Sequence, residues 1–315
     1  MADQKIILDC DTGIDDAMAM LYLAGTPGVE VVAVGTVHGN TYSDFAGRNC
    51  QKVFDLVGLS HVPIAIGAAE PLAQELSISP YVHGEDGLGG FGPAAPVRAF
   101  QPETAAEQMI RLARAAPGEY TILAVGPLTN LGLALKLAPD LPKLVKKVVI
   151  MGGAAAAPGN VTAVAEANIW HDPEAAEAVF EAEWPVTMVG LDVTMQAWIG
   201  QEELDRMAAR GTPKARFALD ILQFYLKFYH GIHGVVGCPL HDPAAAIIAA
   251  DESFAEYETV PVRVDRRGEH TRGMTVADRR PPQRNVDEKP RPLVKVAMRI
   301  DRDRLVEEFM RGLLA

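Results

Sequence analysis

Short apolar runs alternate with amphipathic or alanine-rich stretches along most of the chain, the pattern of a mostly parallel sheet with helices on both faces. The first run, Lys5-Ile-Ile-Leu-Asp9, is continuous, as suits a strand buried on both sides. The pattern then predicts a helix over about 15–24, a strand over 29–36, a helix over 43–57 and a short strand over 62–66. From 69 to 96 glycine and proline are frequent and no period holds, which predicts a long functional loop. Beyond it come a helix over 103–115, a strand over 120–125, a helix over about 128–137 and a strand over 147–151. Asp172-Pro173-Glu174 supplies an N-cap, a proline at the first helical position and an acid in the first turn, opening a helix through Phe180. A strand over 186–193, helices over about 213–229 and from Asp242-Pro243, strands near Val260, Thr271 and Val294, and a helix from Arg302 complete the pattern. With neither an internal repeat nor a linker, residues 1–315 read as a single α/β domain with a Rossmann-like core.

The bulk numbers narrow the partners more than the fold. At 315 residues, 49% hydrophobic and 22% charged, the chain is an ordinary globular one with enough length for a large core. No apolar run reaches the roughly 18 residues of a membrane span, and the segment before Asp9 lacks a signal peptide's apolar region, so a cytoplasmic protein is expected. Cys10, Cys50 and Cys238 are odd in number, widely spaced and without a C-x-x-C pair, which predicts buried reduced thiols, not a disulfide framework or a zinc site. A net charge of −12 repels polyanions, disfavouring nucleic acid and membrane partners and leaving a cation or a neutral small molecule. The arginines between 263 and 291 (Arg266, Arg267, Arg272, Arg279, Arg280, Arg284) are interspersed with Asp265, Glu269, Asp278, Asp287 and Glu288, as in a solvated surface hairpin and loop.

The strongest chemical signal follows the first strand. Asp9-Cys10-Asp11-Thr12-Gly13-Ile14-Asp15-Asp16 places four carboxylates in eight residues, where ligands of open α/β sheets bind. Their mutual repulsion calls for a positive partner, and oxygen-only ligands favour Ca²⁺ or Mg²⁺. One of these acids suffices to cap the next helix; four exceed that need. An EF-hand loop starting at Asp9 would need an acid at its twelfth position, which is Met20, so that reading fails. The alternative is a Mg²⁺-dependent haloacid-dehalogenase-type phosphatase, whose D-x-D motif Asp9-Cys10-Asp11 approaches; such enzymes also need a downstream lysine at a strand end, and Lys146 and Lys147 precede a strand instead. Further candidates gather at predicted strand ends and loops: Asn40, Val125 and Met151, His83 in the long loop, Asn160, Glu166 and Asn168 in a polar extended stretch, and His241-Asp242 at a helix entrance. Tyr225 and Tyr229 lie four residues apart on one helix face.

In order along nearly the whole chain, these pieces resemble the nucleoside hydrolases of the inosine-uridine-preferring group. The matching segments are Ile6-Ile-Leu-Asp-Cys-Asp-Thr-Gly-Ile-Asp-Asp-Ala17, Thr36-Val-His-Gly-Asn40, His83-Gly-Glu-Asp-Gly-Leu-Gly-Gly90, Val125-Gly-Pro-Leu-Thr-Asn130, Met151-Gly-Gly, Glu166-Ala-Asn168, Asp172-Pro-Glu-Ala-Ala, Pro239-Leu-His-Asp-Pro243 and Thr271-Arg-Gly-Met-Thr-Val-Ala-Asp278. The resemblance implies Ca²⁺ held by Asp11, Asp16, the Val125 carbonyl and Asp242, with Asp9 in support. It implies that Asp15, Asn40, Asn160, Glu166 and Asn168 hold ribose hydroxyls above Met151. Asp11 is then the general base, His241 assists the departing base, His83 is a further catalytic residue beside it, and Tyr225 and Tyr229 lie near the base. It also implies a homotetramer acting on ribonucleosides. Thr12 stands where the family usually has proline, and Ala167 where an aromatic residue is common; the first change should loosen the turn, the second open the 5′ side of the ribose pocket.

Overall fold

The computed structural model describes residues 4–281 and 291–315. Its strands are β1 (Gln4–Cys10), β2 (Val29–Thr36), β3 (Ile64–Ile66), β4 (Tyr120–Ala124), β5 (Lys147–Met151), β6 (Val186–Val189), β7 (Trp198–Gly200), β8 (Gly237–Pro239), β9 (Ala255–Val264), β10 (Thr275–Ala277) and β11 (Leu293–Ile300). The helices are α1 (Ile14–Ala24), α2 (Ser43–Leu56), α3 (Pro80–His83), α4 (Ala105–Ala115), α5 (Thr129–Leu137), α6 (Ala167–His171), α7 (Pro173–Glu181), α8 (Leu191–Thr194), α9 (Gln201–Arg210), α10 (Pro213–His233), α11 (His241–Ala250) and α12 (Arg302–Leu314). A nine-stranded sheet runs in the order β10-β9-β11-β6-β5-β4-β1-β2-β3. From β11 to β3 every neighbour is parallel; β9 pairs antiparallel with β11 and β10. This is the expected α/β architecture.

Burial explains the continuous apolar runs. Ile6, Leu8, Ile122, Leu123, Val148 and Val149 are inaccessible, because helices cover both faces of the sheet. Helix α1 is buried from Ile14 to Leu23 and packs against α11, itself buried from His241 to Ala249. Helices buried all round have no polar face to give away a period, so only their acidic first turns mark them in the sequence. Asp172 caps α7 as expected, its side chain accepting from Ala175 N at 3.0 Å. Cys10, Cys50 and Cys238 are free, buried thiols.

Several expectations are corrected. The strand expected over 186–193 stops at Val189: Leu191 N–H donates to Gly153 O at 2.9 Å, turning the chain out of the sheet and into α8. Thr271 lies in a turn, and the strand it was to mark begins at Thr275. The helix from 213 continues past Tyr229 to His233, ending at left-handed Gly234. Glu166-Ala167-Asn168 is not extended throughout: Glu166 caps α6, which contains the other two. Helix α9 and the β7–β8 pair were not predicted. Among the interspersed charges, Arg284, Asp287 and Glu288 lie outside the described residues; the antiparallel β9–β10 pairing supplies the hairpin.

Candidate active site

The carboxyl ends of β1, β2, β4 and β5 meet at one crevice. After β1, Gly13 starts α1, and its N–H donates to Asp16 Oδ2 at 2.8 Å. After β2, Gly39 (φ +151°) delivers Asn40; a Cβ on Gly39 would sit 2.1 Å from Asp11 Oδ2, so only glycine fits. Asn40 then binds two acids at once. Its N–H donates to Asp11 Oδ2 (2.6 Å), and its Nδ2 donates to Asp11 Oδ1 (3.2 Å) and Asp16 Oδ2 (2.9 Å). Asp242 enters from the first turn of α11. Asp9 is braced by Asn130 of α5, whose Nδ2 donates to Asp9 Oδ1 (2.8 Å) and Thr36 O (2.9 Å) while its Oδ1 accepts from Ala68 N (2.9 Å).

Burial dominates the electrostatics here. It pushes the Asp9 and Asp16 carboxyls up to about 7 and those of Asp11, Asp15 and Asp242 upward as well, with neighbouring acids adding to the effect at Asp11, Asp16 and Asp242. Asp15 Oδ1, Asp16 Oδ1 and Asp242 Oδ2 are buried with no hydrogen-bond partner among the described residues. One oxygen from each of Asp15, Asp16 and Asp242 falls within 4.8 Å of the others. Converging, unsatisfied, all-oxygen donors fit a hard divalent cation. This compact set shares Asp16 and Asp242 with the expected ligands. It takes Asp15 in place of Asp11, both of whose oxygens Asn40 engages. The Val125 carbonyl borders the same space and accepts from Asn168 Nδ2 at 2.9 Å.

Above this floor opens a cavity of about 430 Å³. Asp15, Asn40, His83, Val125, Met151, Asn160, Glu166, Asn168, Tyr225, Tyr229, His241 and Asp242 all line it, whereas Asp11 and Asp16 are buried beside it. Glu166 is held by three backbone amides, Gly153 N (2.8 Å), Asn168 N (2.9 Å) and Ile169 N (3.2 Å), although burial still lifts its carboxyl to about 7. Asn168 Nδ2 also donates to Met151 O at 3.1 Å. Asn160 is exposed at the rim, its Oδ1 accepting from Ala167 N at 2.9 Å.

Histidines and tyrosines form the opposite wall. Ile14 N–H donates to His83 Nδ1 at 3.1 Å, so the ring's proton sits on Nε2. Burial lowers His83 to about 3 and His241 to about 4, making both neutral donors. Tyr225 OH donates to Asp15 Oδ2 at 3.2 Å, and Tyr229 OH lies 2.8 Å from His241 Nε2. Tyr225 and Tyr229 stack edge to face with centroids 4.8 Å apart. Tyr81, Phe228 and His233 extend this wall and were missed, as was Thr194, 2.8 Å from His241 Nδ1. Phe228 lies within the predicted helix, next to Tyr229, whereas His233 lies one turn beyond that helix's predicted end. Asn130 appeared in a motif, without a role.

Fold and site together define an α/β enzyme with an acidic oxygen-donor floor and an aromatic wall of neutral donors, suited to a small, neutral, hydroxyl-rich substrate. A sequence model of the inosine-uridine preferring nucleoside hydrolases matches residues 6–307. The chain is 42% identical over 282 residues to the inosine-uridine preferring nucleoside hydrolase of Crithidia fasciculata, covering 89% of each. It is 41% identical over 279 residues to the pyrimidine-specific ribonucleoside hydrolase RihA of Shewanella woodyi, covering 88% of each. A plant nucleoside hydrolase superposes with a TM-score of 0.94 at 33% identity, over 99% of both chains. The chain belongs to the inosine-uridine preferring nucleoside hydrolase family, and is thus an N-ribosyl hydrolase.

Proposed function

We propose that this chain hydrolyses the N-glycosidic bond of purine and pyrimidine ribonucleosides, such as inosine and uridine, to free base and ribose, with Ca²⁺ held by Asp11, Asp16, Asp242 and the Val125 carbonyl. The carrying observation is the juxtaposition of unsatisfied buried carboxylate oxygens with neutral histidine donors across one cavity. Cleaving the bond leaves positive charge on the ribosyl ring and negative charge on the base. Asp15, Asn40, Asn160, Glu166 and Asn168 hold the ribose hydroxyls over Met151, and the acids among them stabilise the cationic ring. Asp11 accepts the proton of the attacking water. His241 donates a hydrogen bond to the leaving base, with His83, Tyr225 and Tyr229 packed around it; a neutral donor here acts by polarising, not as an imidazolium. When bound, Ca²⁺ supplies the charge that keeps the acids ionised and makes water more acidic. On the same resemblance we read residues 1–315 as one domain and the protein as a cytoplasmic homotetramer; no helix among the described residues is long and apolar enough to cross a membrane.

Among the described residues no lysine or arginine lines the cavity, which disfavours the phosphatase reading. The test is a substrate panel of inosine, uridine, cytidine and adenosine, following free ribose with and without EGTA. Ribose should appear from at least one nucleoside and stop on chelation. No ribose from any, with phosphate released from a phosphomonoester, would overturn the assignment; EGTA-insensitive turnover would overturn the calcium.

A further inference from the structure

Helix α8 joins the two sides of the cavity. Its first residue, Leu191, lines the cavity, and its second, Asp192, accepts from three successive amides of the facing loop: Ala155 N (2.7 Å), Ala156 N (2.7 Å) and Ala157 N (2.9 Å). Just beyond the helix, Leu240 N–H donates to Ala197 O at 2.7 Å, tying this segment to the residue preceding His241. The last helical residue, Thr194, is inaccessible to solvent, and its Oγ1 lies 2.8 Å from His241 Nδ1.

Hydrogen-bond polarity gives this contact a function. Nδ1 faces a fully buried hydroxyl, so only Nε2, 2.8 Å from the cavity-lining Tyr229 hydroxyl, can reach substrate. Neutral imidazole has one N–H. For that proton to point at the leaving base it must reside on Nε2, which leaves Nδ1 bare and in need of a donor. The threonine hydroxyl is the donor in place.

We propose that Thr194 is a positioning residue that donates to His241 Nδ1, fixing the ring's orientation and keeping its proton on Nε2 toward the leaving base. The inference rests on the role given to His241 above. Without the hydroxyl, the ring loses its hold on the Nδ1 side, and Tyr229 is free to donate to Nε2, which reverses the useful polarity.

The test compares inosine, whose base needs assistance to leave, with p-nitrophenyl riboside, whose leaving group needs none. Thr194→Val preserves shape and removes the oxygen. Its kcat on inosine should fall about 10- to 100-fold, the consequence of one unpaired buried group, while nitrophenyl riboside turnover stays within about twofold. Thr194→Ser, retaining the hydroxyl, should restore inosine turnover, a rescue that a purely structural role would not require. Should the valine variant fail to fold, Thr194→Ala reads the same substrate ratio. Undiminished inosine turnover, equal losses on both substrates, or failure of serine to rescue would each overturn the proposal. His241→Ala run alongside separates the two claims. If it spares inosine, the role of His241 is wrong and that of Thr194 falls with it; if it is selective and Thr194→Val is not, only Thr194 is misassigned.

Discussion

Gly13→Ala isolates the effect of space in the site. The backbone there (φ −90°, ψ −161°) suits alanine, so conformational strain plays no part. The added Cβ, however, would lie 2.5 Å from His83 Nδ1, 2.7 Å from Asn40 Nδ2 and 3.0 Å from Asn40 Cβ. Ordinary contact begins near ~3.5 Å, so both groups must retreat by roughly 0.5–1 Å. Neither is free to do so. His83 Nδ1 accepts from Ile14 N at 3.1 Å, and Asn40 carries the three bonds to Asp11 and Asp16. Overpacking costs about 1–3 kcal/mol and a lost hydrogen bond about 1 more, so we expect roughly 2–4 kcal/mol in all. At about 2 °C per kcal/mol for a chain of this size, the thermal midpoint should fall by about 4–8 °C. Misplacing reactive groups by about 1 Å costs on the order of 100-fold in rate, so kcat/KM for inosine should drop by that factor or more. A folded variant with kcat/KM within about threefold of the parent would refute the claim that Asn40 and His83 must stand where they do.

Asn130→Ala should destabilise the fold by about 3–5 kcal/mol in urea unfolding, because it strands a buried carboxyl, a carbonyl and an amide at once; a loss under about 1 kcal/mol would show that the brace is dispensable. Saturating Ca²⁺ should raise the thermal midpoint relative to EGTA, by the equivalent of about 2.7 kcal/mol at a hundred times Kd, and Asp242→Asn should abolish the rise; equal midpoints with and without calcium would count against the metal. Gly231→Ala in α10, where nothing among the described residues beyond the helix's own backbone lies within 4 Å of the added Cβ, should stabilise by about 0.5–1 kcal/mol, and destabilisation in the same melt would contradict that open space.

What the sequence reveals depends on how locally a feature is encoded. The acid cluster was legible because Asp9 to Asp16 are contiguous and follow an unmistakable buried strand. His241 and Asp242 stood out because Pro243 marks a helix start. Thr194 gave no such signal. Its contact is with a residue 47 positions away, and it directly follows the apolar run Val186-Thr-Met-Val-Gly-Leu-Asp-Val193, in which strand and buried helix cannot be told apart by period. The register of Gly190 decides the matter: a Cβ there would meet Gly153 O at 2.5 Å, a contact between segments that no local pattern encodes. The short α6 is hidden similarly, because its cap is Glu166, a residue whose polar character points equally to a ligand.

Asp15 shows why the cluster requires a ligand and not only a cap. Its Oδ1 lies 3.8 Å from His83 Nδ1, a spacing that suggests an ion pair. That nitrogen already accepts the Ile14 amide, so it presents a lone pair to the carboxylate and offers no attraction. Burial keeps His83 neutral, which removes the alternative of a protonated ring. Only Oδ2 is satisfied, by the Tyr225 hydroxyl at 3.2 Å. Oδ1 therefore has no donor among the described residues, and the same is true of Asp16 Oδ1 and Asp242 Oδ2. A fold that brings one oxygen from each of these three carboxylates within 4.8 Å of the others, and leaves an oxygen of each without a donor among the described residues, fits a cation or substrate hydroxyls among them. The position of Asp15, between the acidic floor and Tyr225 on the aromatic wall, gives one side chain contact with both.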